Sequence, residues 1–239
     1  MFELLKAIFG QQERTLLNDA YERFHAMLDS AIELLEKEDP HLLSESVPDE
    51  LKVHARSVDK RSNKQEREIR KLLVEHLAFE PTHTSACLVL MSAAKDAERL
   101  VDVCRSLLLL SEEIESPIPE GYRQTIRERT ELLIEALRQT RTSFAENDRA
   151  KALEIVESEK SFKASLREIQ KKVLAEENLT VRQGILVYEA FSFLRRIRAI
   201  VGNIASTVVL PLHRIDFARK RFIKEAREEL EKEELEKAE

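Results

Sequence analysis

Ser116-Pro-Ile-Pro-Glu-Gly121 puts three breakers into six residues, and its position near the middle of the chain decides the fold. Proline fixes φ and removes a backbone donor, and glycine following it favours a turn, so no helix runs through this stretch. On either side, apolar residues recur with helical period in three long segments. Upstream, the first segment runs from about Glu13 to Lys37 with Leu17, Tyr21, Phe24, Leu28, Ala31 and Leu35 on one stripe. It closes at Asp39-Pro40, because a residue before proline is pushed out of the helical region. The second segment starts at Pro48-Asp49 and reaches about Ala78. The third opens after Pro81, with Thr82 or Thr84 as its cap, and reaches about Glu113.

Downstream the pattern returns. Tyr122, Ile126, Leu133, Leu137, Thr140 and Phe144 form one stripe, and two further segments follow Asn147-Asp148 and Glu177-Asn178. Glu68-Ile69 matches Glu168-Ile169 at an offset of 100, and Asp39 matches Asp148 at 109. Glu98-Arg99 matches Arg195-Arg196 at 97. Offsets that change only inside loops are the mark of a duplicated unit. The sequence therefore predicts an all-α protein of two tandem three-helix bundles, residues 13–115 and 122–210, with antiparallel up-down helices. An amphipathic segment, 1–12, precedes them. A charged helical tail, 211–239, follows, with too few apolar positions for a core face, and is expected to be an exposed extension.

Composition agrees and excludes several classes. The 239 residues are 43% hydrophobic and 35% charged, with only 4 Gly, 6 Pro and no Trp, a balance that favours long helices over strands or disorder. A net charge of −6 is the wrong sign for a protein that coats nucleic-acid phosphates. No apolar run approaches the roughly 20 residues needed to span a bilayer. Met1 to Gly10 carries Glu3 and Lys6 and lacks a small-residue cleavage site, so no signal peptide is expected. Cys87 and Cys104 fall on one predicted helix about 25 Å apart, too far to bridge, which suits a reducing cytoplasm. Gly-rich phosphate loops are absent, and no catalytic triad can be argued.

One stripe breaks its own rule. The core face of the second segment begins at Leu51, Ala55 and Val58 and ends at Ile69, Leu72 and Leu73. Its middle reads Asp59, Ser62, Asn63 and Glu66. Asp59 and Asn63 are four apart and share a face, as do Glu98 and Asp102 on the third segment. Carboxylates on a helix interface need a counter-charge. Oxygen ligands at this spacing on two adjacent helices suit a hard or borderline metal ion, and salt bridges to Arg99 or Arg105 are the alternative. His76, His83 and Cys87 suggest zinc at first sight, since His83 and Cys87 are four apart, but a fourth ligand is missing.

Ala94-Lys-Asp-Ala-Glu-Arg-Leu-Val-Asp102 resembles the Glu-Arg-x-x-Asp signature of the PhoU family of phosphate-uptake regulators. Asp59-Lys-Arg-Ser-Asn63-x-x-Glu66-x-x-Ile69 resembles that family's Asp-x-x-x-Asn segment on the preceding helix. The resemblance spans about Glu13 to Leu210 and includes the duplication. It implies one metal site at most, held by Asp59, Asn63, Glu98 and Asp102, with Fe, Zn, Mn or Mg as candidate ions and Glu66 as an outlying ligand. In the second half the signature reads Arg195-Arg-Ile-Arg-Ala199, so both acids are gone, and Glu159 is expected to pair with Arg195.

What the resemblance implies for function is a cytoplasmic accessory regulator of phosphate homeostasis. It would act without catalysis, through contacts with a phosphate transporter subunit or a sensor histidine kinase. It would form a homo-oligomer and meet the membrane only through partners. The alternatives are a metal-free helical scaffold without a phosphate link and a carboxylate-bridged metal enzyme. The latter typically needs Glu-x-x-His pairs, which these faces lack. A basic stretch with aromatics, 213–224, is expected to be a solvated face, with contact to anionic lipid or to a partner's acidic surface as the other reading.

Overall fold

The computed structural model describes residues 16–216 and 218–238. The expected segment 1–12, the start of the first helix at Glu13, and Phe217 lie outside the described residues. Seven α-helices are present among them: α1 Leu16–Glu38, α2 Asp49–Phe79, α3 Thr84–Leu109, α4 Glu120–Glu146, α5 Arg149–Leu174, α6 Val181–Val209 and α7 Lys220–Ala238. No strand occurs among the described residues. No helix there is long and apolar enough to cross a membrane.

The breakers end helices where the sequence places them. Pro40 turns the end of α1 into a 3-10 turn, Asp39–His41, and α4 stops at Asn147 in the left-handed region at φ 53°, which asparagine tolerates. Asp148 then caps α5, its Oδ1 accepting from the Lys151 amide at 2.9 Å. A capping box of Thr180 and Gln183 opens α6, satisfying two amide donors at once. The expected threonine cap of α3 does not form. A 3-10 turn, Pro81–His83, leads into the helix, and the Thr84 hydroxyl donates back to the Pro81 carbonyl at 2.5 Å.

Each half is a three-helix unit. In the first, α1, α2 and α3 all pack on one another, and in the second α4, α5 and α6 do the same. The units are joined by α3 against α6 and α1 against α4, and their buried side chains form one continuous cluster. At the α1–α4 contact, Tyr21, Phe24, His25 and Phe144 pack as an aromatic group, and the Tyr21 hydroxyl donates to the Phe144 carbonyl at 3.3 Å. Burial pushes the His25 imidazole down to about 4, helped by Arg141, so a neutral ring sits in that cluster.

The tail departs from expectation. Instead of a bare extension, α7 lies along α5 and buries Phe222 and Ala226, with Ile223 and Leu230 partly covered. Arg149 of α5 reaches Glu229 at 3.1 Å and Glu233 at 2.6 Å, and Arg227 pairs with Glu157. Four apolar positions at helical spacing, 222, 223, 226 and 230, suffice because ion pairs flank them.

Candidate functional site: a carboxylate seam between two helices

The interrupted stripe of α2 faces α3. Ser62 and Glu66 take buried places in it between Val58 and Ile69, and Asp59 and Asn63 sit half-buried at its edge. Because α3 runs antiparallel to α2, Glu98 and Asp102 meet the same stretch. Glu98 is buried, whereas the Asp102 side chain is 44% exposed. All four residues expected from the sequence come to this one seam.

Their partners are protein cations. Arg105 lies between Asp102, at 2.8 Å, and Asp59, at 3.8 Å. Lys95 reaches Glu98 at 2.7 Å and Glu66 at 3.9 Å, and Arg70 reaches Glu66 at 2.7 Å. Asn63 turns its amide inward along α2, donating to the Asp59 carbonyl at 3.0 Å and to Asp59 Oδ1 at 3.4 Å. The amide nitrogen is thus held by its own helix, and as a donor it offers a metal nothing. Burial raises the Asp59 carboxyl above its ordinary value. Arg105 opposes that shift, and Asp102 and Glu98 reinforce it. Among the described residues, no three His, Cys, Asp or Glu side chains gather at metal-holding distance. As arranged, these residues do not fit a resident metal ion: the acids are spread along the seam, and each already holds a cation.

In the second half, the expected Glu159–Arg195 pair does not form. Arg195 donates to Gln170 Oε1 at 2.7 Å, and Glu159 pairs with Lys163 at 2.8 Å. The cation that sequence reasoning missed is Arg198. It is almost fully buried and donates to the Ile155 carbonyl and to Ser158 Oγ at 2.9 Å, with Glu159 near enough to favour its charge. Glu159 lies over Gly202, where an added Cβ would run into its carboxyl, 2.9 Å from Cδ. A glycine inside an apolar helical stretch is the signal that could have revealed this close approach.

Two further acids were not anticipated. Glu38 is fully buried, and among the described residues neither of its carboxyl oxygens has a hydrogen-bond partner. Asp96 is buried, and desolvation followed by the neighbouring Asp216 carboxylate lifts it to about 6, against the pull of Arg99 and an Asn203 hydrogen bond. The His76 and His83 rings stack with Nε2 and Nδ1 2.8 Å apart, so these nitrogens satisfy each other. Cys87 and Cys104 are free and buried.

Among solved structures, the chain is similar to the crystal structure of PhoU from Pseudomonas aeruginosa, with a TM-score of 0.69 and 20% identity. The match covers 81% of this chain and 95% of that one. No family model matches the sequence, and no curated protein matches it. The chain has the PhoU fold.

Proposed function

We propose that the protein is a non-catalytic, PhoU-like regulator of phosphate uptake that works through contacts with a membrane transporter subunit or its sensor kinase. The observation that carries this reading is the shared duplicated helical fold together with two family-like motifs on the same two facing helices. The surface supports a contact role. Val74 and Phe79 near the end of α2, and Leu88 early in α3, are exposed. So are Leu174 at the end of α5 and Val181 and Ile185 at the start of α6. Both hairpin tips thus present apolar side chains to solvent, a property associated with protein-binding surfaces.

The seam is a network of internal ion pairs that fixes α2 against α3. Affinity capture from native cells grown with and without phosphate tests the proposal. A phosphate permease component or a sensor kinase should be recovered with the wild type. Phe79→Ser combined with Leu174→Ser should reduce that recovery without lowering the melting temperature, since both positions are exposed. Recovery of neither class under either growth condition would refute the reading and leave a phosphate-independent scaffold.

A further inference from the structure

A basic cavity of about 600 Å³ lies where α7 rests on α5. Its walls carry Lys160, Lys163 and Arg167 from α5, and Lys220, Lys224 and Arg227 from α7. Among the described residues, two carboxylates line it, Glu157 and Glu159, and both are already neutralised. Arg227 pairs with Glu157, and Lys163 holds Glu159 at 2.8 Å. Glu159 also packs over Gly202. Among the described residues, Lys160, Arg167 and Lys220 make no ion pair, and Lys224 meets Glu228 only at 3.4 Å. Four cations therefore converge with little compensation on a protein whose net charge is −6.

Like charges brought together on two packed helices repel, and a cleft with low-dielectric walls concentrates their potential. An anion carrying several adjacent charges turns that repulsion into attraction. The floor is apolar, formed by Val156, Ala218 and Ile223, which provides a surface for an uncharged organic part. The volume falls within the range typical of small-ligand pockets, roughly 300–1,000 Å³. We propose that this cavity binds a small organic oligophosphate, of the chemical class of a nucleoside triphosphate, with the phosphates on the lysines and arginine and the organic moiety on the apolar floor. The site stands on the cavity alone and does not rest on the phosphate-uptake reading. Because one wall belongs to α7, an occupant would also tie the C-terminal helix to the second bundle.

Calorimetric titration of the full chain at physiological ionic strength tests it, with ATP, inorganic triphosphate and AMP as probes and flotation with phosphatidylglycerol vesicles as a separate arm. ATP should bind saturably with one site per chain, more tightly than either smaller anion. Lys160→Ala, Lys220→Ala and Lys224→Ala together should weaken it by about tenfold or more, a loss of ~1.4 kcal/mol per tenfold. These lysines are exposed and alanine suits a helix, so unchanged melting of this variant is the folding control. Lys60→Ala, Lys64→Ala and Lys71→Ala remove the same charge from the exposed face of α2 and should leave binding intact. ATP binding also should raise the melting temperature of the wild type more than that of the cavity variant. The proposal is overturned by no ATP binding, by equal binding in the cavity variant, or by an equal loss in the α2 variant. Inorganic triphosphate binding as tightly as ATP would remove the role of the apolar floor and overturn the organic assignment. Binding to the vesicles without binding to ATP would overturn it in favour of a lipid surface.

Discussion

Glu38 ends α1 with its side chain fully buried and, among the described residues, both carboxyl oxygens without a hydrogen-bond partner. Burial alone lifts its pKa well above the usual glutamate value, which fixes the sign of a pH effect. Below the ordinary glutamate range the group is protonated in both the folded and the unfolded chain and contributes no pH dependence. As pH rises through that range, the unfolded chain releases its proton and the folded chain keeps it, so stability falls until the folded pKa is passed. The slope for one such group is ~1.4 kcal/mol per pH unit. Between pH 5 and 7 it costs about 2.7 kcal/mol if the folded carboxyl stays protonated throughout. Glu38→Gln keeps the shape and cannot ionise, so the variant should gain on the wild type by that amount over the interval. For a chain of this size the gain corresponds to roughly 5–10 °C in melting temperature. Thermal or urea unfolding of both proteins at pH 5, 6, 7 and 8 measures it. Asp59, Asp96 and Asp216 are also raised by burial and add to the wild-type slope, but they are present in both proteins and cancel in the difference. Parallel stability curves for wild type and variant would refute the reasoning, because they would mean that Glu38 ionises in the folded protein as it does in the unfolded one.

Three other perturbations follow from the two seams. Arg198→Leu should destabilise by about 2–3 kcal/mol, because it removes the charged donor of two buried hydrogen bonds, to the Ile155 carbonyl and Ser158 Oγ, whereas Arg195→Ala, which loses a hydrogen bond to Gln170, should cost only about 1 kcal/mol. Chemical denaturation separates the two, and a reversed order would restore the Glu159–Arg195 pairing. Gly202→Ala should cost about 1–3 kcal/mol as an overpacking change, and combining it with Glu159→Ala should recover part of that loss in a double-mutant cycle. Added Mg, Mn, Zn or Fe should leave the wild-type melting temperature unchanged. With Arg105→Ala, which uncovers Asp59 and Asp102, the same ions should raise it. A metal-dependent rise in the wild type would show that the acids accept an ion in place of Arg105 and Lys95.

The boundaries of the fold were legible because they rest on local chemistry. Pro40, Pro81, Pro117 and Pro119 restrict the backbone whatever surrounds them, and the observed helices begin or end within a few residues of each. The convergence of Asp59, Asn63, Glu98 and Asp102 on one seam was legible too, since four-residue spacing on two adjacent antiparallel helices leaves little choice. Counter-charges were less so. Arg105 was a named alternative, but Lys95 reaches Glu66 and Glu98 through a long side chain whose direction spacing does not give. The Glu159 partner was misassigned because spacing does not tell a cation on the facing helix from one on the same helix: Glu159 takes Lys163, four residues on, and Arg195 turns to Gln170. The tail was misread for a similar reason: Phe222, Ile223, Ala226 and Leu230 look sparse for a core face, and their value depends on the flanking pairs Arg149–Glu229 and Arg227–Glu157. Glu38 gave no signal at all, as an acid beside Lys37 at a helix end reads as solvated.

The halves differ most informatively where their registers coincide. The third helices align at an offset of 97, which places Gly202 opposite Arg105, and the second helices align at 100, which places Glu159 opposite Asp59. In the first half a short acid is met by a long cation, Arg105, from the facing helix. In the second the acid is one carbon longer and the facing position has no side chain, so the carboxyl advances over Gly202. Its charge is balanced from its own helix by Lys163 and from below by Arg198. The two solutions place the longer side chain on opposite helices. They also have different consequences for the surface. Arg105 keeps its charge between α2 and α3, whereas in the second half the balancing cation Lys163 stands at the wall of the basic cavity. The exchange of an arginine for a glycine on one helix therefore does two things at once: it removes a cation from the seam, and it lets the Glu159 carboxyl lie over Gly202, where Lys163 neutralises it at the wall of the cavity.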